Sequence, residues 1–355
     1  MSIADVAVIG GGQAGLATAH VARSRGLVPV VLDASAGPGG SWPHYYDSLT
    51  LFSPARFSSL PGLPFPVAPD RYPLRDEVVD YLTAYTARLD AEVRFGQRVA
   101  RVTRSTGGFT VSTTLGTVVE ARVVVAASGG FGAPYRPPLP GLDGFTGTVL
   151  HAADYREPMG FAGARVVVVG GGNSAVQIAV ELAEVARVTV SARRPVRWQP
   201  QRYLGRDFHW WLARAGVDTA WWGPRLAGGT VPVIDDGRYR AAVRAGRPDR
   251  RPSFARLDGE VVVWADGTRE RVDVLLLATG YRPDVGYLAG AGGLDATGAP
   301  LHRAGVSATV PGLGYVGLER QRSFASATLR GVGRDAAHVL SVLARDRAAH
   351  AAAAR

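Results

Sequence analysis

One glycine-rich pattern occurs twice in this chain, as Gly10-Gly11-Gly12-Gln13-Ala14-Gly15 and as Gly170-Gly171-Gly172-Asn173-Ser174-Ala175. Each copy follows a short apolar run, residues 6–9 and 166–169, and opens a helical pattern. A strand, a glycine turn and a helix in that order form the βαβ unit that binds a dinucleotide. The first glycine allows the tight turn, the second lets the backbone approach a pyrophosphate, and the third small residue lets helix and strand pack. The phosphates then lie at the positive end of the helix dipole. Two such units confine the chain to an α/β fold with two Rossmann-type dinucleotide-binding domains.

The two copies differ where their second strands end. Residues 28–32 lead into Asp33, about 20 residues past the glycines, where a carboxylate hydrogen-bonds a ribose. Residues 188–190 lead instead into Ser191-Ala192-Arg193-Arg194. An acid there would repel a 2′-phosphate, whereas arginine holds one in a fork geometry. The second site is therefore expected to take NADPH in preference to NADH.

Between the copies lies F-T-G-T-V-L-H-A-A-D-Y, residues 145–155, in which Phe145, Gly147, His151 and Tyr155 match F-x-G-x-x-x-H-x-x-x-[FY]. Framed by two dinucleotide motifs, this stretch resembles that of the flavin-containing monooxygenases, the class B flavoprotein monooxygenases. The resemblance implies FAD at Gly10, Gly12, Gln13, Ala14, Gly15 and Asp33. It implies NADPH at Gly170, Gly172, Asn173, Ser174, Ala175, Ser191, Arg193 and Arg194. It also brings Gly40, Ser41 and Trp42 of a G-G-x-W segment beside the flavin; the other reading of Trp42 is a core residue after a glycine turn. Ser128 and Gly129 stand where the family has A-[TS]-G. Thr279 and Gly280, in A-T-G-Y, complete the implied NADPH set and mark the passage back to the FAD domain, and Gly317, Gln321 and Ser326 belong to a closing segment against the flavin and its pyrophosphate.

The irregular, proline-rich residues 48–66 are similar to the loop over the flavin in plant indole-pyruvate monooxygenases and bacterial arsenic-operon flavin monooxygenases. Many members of the wider family carry an asparagine there, and this chain has Phe52 or Ser53 at that point. The implied activity is NADPH-dependent insertion of one oxygen atom from O2 into a small soft nucleophile (N, S or As) or an activated carbonyl, through a C4a-hydroperoxyflavin. Arg156 after Tyr155, in place of a W-[PD] ending, disfavours Baeyer–Villiger chemistry. The flavin carries the reaction, so no side chain is assigned as catalytic; Phe52, Ser53 and His151 are the candidates near it. His151 has two readings, a proton carrier or a structural histidine bonded across the domain junction. Two other functions stay open: an NADPH-dependent flavin reductase or oxidase releasing hydrogen peroxide, and a non-enzymatic redox sensor.

These motifs divide the chain into residues 1–144 (FAD), 145–285 (NADPH, with an insertion at 195–253) and 286–355 (a return to the FAD domain). A helix is expected over residues 76–90 with Asp76 as N-cap, then a β-meander near Val93, Val99, Phe109 and Val118, then a separate buried strand at 123–127. A last helix is expected over residues 326–343. The insertion is rich in arginine and aromatics, among them Tyr203, Phe208, His209, Trp210, Trp211, Trp221 and Trp222. It reads as a pocket wall or lid, as a homo-oligomer interface, or as a satellite core.

Cysteine is absent, which excludes a disulfide framework, thiolate metal sites and the dithiol of flavin disulfide reductases. Of the 355 residues, 46% are hydrophobic and 20% charged, a balance that builds packed domains. The net charge of +10 rests on arginine alone. No nucleic-acid motif accompanies it, and anionic cofactors give the positive field a use. No membrane span is expected, because no apolar run approaches roughly 18 residues. Residues 3–9 read as an opening strand, not a signal peptide, so the cytoplasm is the expected compartment. The expected partners are a small-molecule substrate and O2, with no metal and no nucleic acid.

Overall fold

A computed structural model describes residues 3–220, 222, 223 and 232–353. Trp221 lies outside the described residues, as do 224–231 of the insertion. The chain builds two sheets with parallel centres, each around one glycine motif. In the first, Ala4–Ile9 sits centrally, parallel to Pro29–Leu32 on one side and Val118–Ala126 on the other. Leu313–Tyr315 joins beyond Val118–Ala126, so the chain does return to this sheet near its end. In the second, Asp249–Pro252, Arg187–Ala192, Arg165–Val169, Val274–Leu277 and Thr148–His151 lie side by side, all parallel. The last residues of the aromatic insertion thus form an edge strand of this sheet.

The central strands read as unbroken apolar runs because helices and loops cover both faces. Val6 and Val8 face the helix Gln13–Ser24 and the long helix Leu329–Ala353, while Ala7 and Ile9 face a core built on Phe109, Leu313 and Tyr315. Under the second sheet, Val166 and Val168 pack on the helix Asn173–Leu182. Its other face, with Val167, Leu275 and Leu277, is closed by a small antiparallel sheet carrying Leu257 and Val262. Among the described residues, no helix is long and apolar enough to cross a membrane.

Four local expectations are corrected. Helix Arg75–Arg88 is capped at Leu74, not Asp76. The Glu77 carboxylate reaches back to accept from the Leu74 amide, at 2.9 Å, so the acid three residues into the helix does the capping. Val93 is not part of the meander: Glu92–Arg94 lies parallel to Pro29–Leu32 and extends the first sheet. Val118 and residues 123–127 are not separate strands, since one long strand, Val118–Ala126, pairs antiparallel with Gly108–Thr113 and then parallel with Ala4–Ile9. The last helix begins at Leu329, after the turn at Ser326, and runs to Ala353.

Candidate functional site

The first glycine turn is shaped by close backbone approach. A Cβ on Gly15 would stand 1.7 Å from the Gly10 carbonyl oxygen, so only glycine lets the helix pass this near the strand end. Gly40, at φ +58, presses on Gly12 so tightly that a Cβ there would come within 2.6 Å of the Gly12 Cα. Asp33 is buried; one carboxylate oxygen accepts from the Gly11 amide and the other from the Ser35 amide at 2.7 Å. It holds the turn in shape while it faces the cavity beside it.

Trp42 donates its indole N–H to Gln13 at 2.7 Å, and Gln13 donates to the Ala327 carbonyl at 2.6 Å. Three distant segments are thereby tied around the start of helix Gln13–Ser24. Gln321 is buried at a remove from the cavity, where its amide donates to the Tyr315 carbonyl at 2.7 Å. The Ser326 hydroxyl accepts from the amides of Arg322 and Ser323, each at 3.1 Å, and fixes the turn before the last helix.

The second turn is more open. Gly170 has φ +147, and a Cβ there would meet the Ala278 carbonyl at 2.3 Å, but nothing lies within 4 Å of a Cβ on Gly172. Ala175 is buried at the place equivalent to Gly15. The Asn173 side chain accepts from the Ile234 amide at 3.0 Å, so it anchors the insertion to the motif helix. Ser191 turns its hydroxyl toward the Pro252 carbonyl within the sheet, while Arg193 and Arg194 stand exposed just beyond the strand. Thr279 donates to the Tyr135 carbonyl, and Gly280 gives its carbonyl to His151.

One cavity of about 1190 Å³ joins the two turns. From the first motif it is lined by Gly10, Gly12, Gln13, Ala14 and Asp33, with Gly40, Ser41, Trp42, Ser128, Gly129, Gly317 and Ser326 around them. From the second it is reached by Asn173 and Ser174. Gly15, Gln321, Gly170, Gly172, Ala175, Ser191, Arg193, Arg194, Thr279 and Gly280 do not line it. Phe52 and Ser53 do, with the Ser53 hydroxyl 2.9 Å from that of Ser58.

His151 is fully buried and does not line the cavity. Its Nδ1 accepts from the Ala153 amide and its Nε2 lies 3.1 Å from the Gly280 carbonyl, which fixes the Nε2–H tautomer. Burial pushes its pKa below the ordinary histidine value, so the ring is a neutral clip between Thr148–His151 and the strand end at Gly280. Both hydrogen bonds stay within residues 145–285. Tyr155 is buried against Tyr46, from the first half of the chain, and donates to Glu181 at 2.8 Å. Phe145 packs elsewhere, beneath the second sheet with Leu257 and Trp264, so of the motif's two aromatics only Tyr155 sits at the junction.

Two groups of lining residues carry no local sequence signal for this role. Tyr46 donates to Gln177 at 2.5 Å, joining the segment after Trp42 to the second motif helix. His209 brings an imidazole into the cavity wall, and Asp207 stands behind it, with Nδ1 2.9 Å from Oδ1. The insertion thus divides. Phe208, His209 and Leu212 wall the cavity, Trp198 packs with Val176 and Val233, and Trp211 and Trp222 are exposed.

Residues 7–207 match the family model described as pyridine nucleotide-disulphide oxidoreductase. A CzcO-like oxidoreductase of Geobacillus kaustophilus is 32% identical over 345 residues, 96% of this chain and 98% of its own. The rice indole-3-pyruvate monooxygenase YUCCA1 is 32% identical over 312 residues, covering 78% of this chain and 77% of its own. The solved structure of a flavin-containing monooxygenase from Stenotrophomonas maltophilia superposes with a TM-score of 0.86 at 34% identity, over 97% of this chain and 99% of that one.

Proposed function

Starting from the fact that the chain belongs to the flavin monooxygenase family, we propose that it uses NADPH and FAD to insert one atom of O2 into a small soft nucleophile. The observation that carries this reading is the single cavity, which begins at the Asp33 turn, passes the Phe52 loop and ends at the second motif helix. Its first part fits FAD: the glycines leave a side-chain-free cradle at a helix start, and Asp33 is placed for a ribose. Its far part fits a nicotinamide dinucleotide entering over Asn173 and Ser174. When bound, the flavin supplies the reaction with O2 that no side chain here could perform.

The chain's own residues bind, orient and exclude water. Gly10, Gly12 and Gly40 shape the pyrophosphate cradle, and Gln13 and Trp42 lock it. Arg193 and Arg194, exposed at the end of Arg187–Ala192, hold the 2′-phosphate of NADPH. Leu51, Phe52, Phe208 and Leu212 give the cavity a dry wall at the substrate end. The domain division is residues 1–144 and 286–355 for FAD and 145–285 for NADPH. Amines and sulfides are favoured over carbonyl substrates because Arg156 replaces the W-[PD] ending.

The peroxide-releasing reductase keeps one supporting observation: Phe52 or Ser53 stands at the family's asparagine position, and the Ser53 hydroxyl is engaged by Ser58. Turnover under 18O2 separates the two. One 18O atom in the oxidised amine or sulfide supports the oxygenase, and unlabelled substrate with stoichiometric labelled peroxide overturns it.

A further inference from the structure

His209 is 2% exposed, yet it lines the cavity. Three aromatic rings enclose it: Phe52 stacks at 6.0 Å and 18°, Phe57 tilts at 6.4 Å, and Phe208 meets it edge-on at 5.7 Å. Asp207 opens the short helix Phe208–Arg214 as its N-cap, accepting from the His209 amide at 2.7 Å. The same oxygen lies 2.9 Å from His209 Nδ1. The other oxygen accepts from the Tyr72 hydroxyl and from Gln201 Nε2, both at 2.7 Å. Gln201 also donates to the Phe52 carbonyl, at 2.9 Å, so the pair is bolted to the loop over the flavin site.

This arrangement fixes the chemistry of the imidazole. Burial opposes ionisation of Asp207, but the bonds from His209, Tyr72 and Gln201 outweigh it and hold the carboxyl below its ordinary range. An ionised carboxylate only accepts, so Nδ1 carries a proton, and in the neutral ring Nε2 carries the lone pair. Among the described residues, Nε2 has no hydrogen-bond partner. The other ionisable groups facing the pair are Tyr72, from the segment before helix Arg75–Arg88, and Arg202, whose strand Arg202–Tyr203 pairs antiparallel with Arg206–Asp207, with Asp70 beyond them.

We infer that His209 is a general base for protonated amine substrates, oriented through Nδ1 by Asp207 as its positioning residue. This rests on the oxygenase reading above. An ammonium has no lone pair to offer, and the aromatic wall around His209 favours a cation. His209 Nε2 takes the ammonium proton, the amine lone pair is freed for oxygen transfer, and Asp207 stabilises the imidazolium. The stoichiometry closes: a tertiary ammonium, O2 and NADPH give the amine oxide, NADP+ and water, so the substrate's proton is the one that water formation consumes. An aprotic sulfide must draw that proton from solvent.

The test pairs N,N-dimethylbenzylamine with thioanisole in flavin-loaded wild type, His209→Gln and Asp207→Asn. At neutral pH, His209→Gln should lower kcat/KM for the amine about 100-fold, with a loss at least tenfold smaller for the sulfide. The amine deficit should shrink as pH rises toward the amine's own pKa, where free base comes from solution. Asp207→Asn should show the same selectivity at smaller amplitude. Equal losses on both substrates, or a deficit independent of pH, would overturn the inference. A second readout needs no turnover: the His209 Cε1–H proton resonance, assigned by its loss in His209→Gln, should move toward the imidazolium position with the amine and not with thioanisole. An unmoved resonance also overturns the inference. If neither probe is oxidised by wild type yet the resonance moves, the base stands and the oxygenase reading falls.

Discussion

The two glycine turns look alike in sequence and differ in how the rest of the chain treats them. The first is enclosed: Gly40, Trp42, Gly129, Gly317 and the start of the last helix all converge on it, and its acid is buried in the turn. The second is open, with Gly172 free of neighbours and its two arginines in solvent. An enclosed site suits a cofactor that stays through many turnovers, and an open one suits a cofactor that must exchange each time.

The largest test of this contrast is the third small residue of each motif. Gly15→Ala forces a Cβ against the Gly10 carbonyl and should cost about 3 kcal/mol or more, giving flavin-free or insoluble protein. Ala175→Gly only loosens a helix, by about 1 kcal/mol, and should purify fully flavin-loaded. Flavin absorbance per protein reads both. Next comes Asp33→Ala, which strands the buried Gly11 amide at a cost of about 1–3 kcal/mol and removes the ribose partner. Full flavin occupancy in that variant would contradict the assignment.

At the open site, replacing Arg193 and Arg194 with serine should lower kcat/KM for NADPH about 10–100-fold and leave flavin content intact. The NADH value should change far less, and equal changes would sink the 2′-phosphate role. The smallest effect belongs to His151. Its folded pKa lies below the ordinary 6.5, so below that pH the unfolded chain binds a proton that the folded chain does not. That part of stability is present above about pH 6.5 and is lost as pH falls from there to the folded value. His151→Gln should therefore show a smaller drop in melting temperature from pH 7.5 to 5.5 than wild type.

What was legible in the sequence was what is local. Gly10, Gly15 and Asp33 could be read because tight turns and close helix packing permit few residue types at fixed spacing. The sense of the last crossing, from Ala278 through Gly317 back to the first sheet, followed from family motifs. The Leu74 cap was missed because Glu77 completes it from three residues further on, leaving Asp76 as a decoy. The Asp207–His209 pair could not be seen to face Phe52, because about 150 residues separate the loop from the helix and only the fold brings them together.

The most direct test of the whole account is rapid mixing. The flavin-loaded enzyme is reduced anaerobically with NADPH, mixed with oxygenated buffer, and its absorbance followed from the near ultraviolet to the visible. The account predicts a transient species, distinct from both reduced and oxidised flavin, that persists without substrate and decays faster when an amine or sulfide is added. Immediate return to oxidised flavin with one peroxide per NADPH, unchanged by substrate, would contradict it.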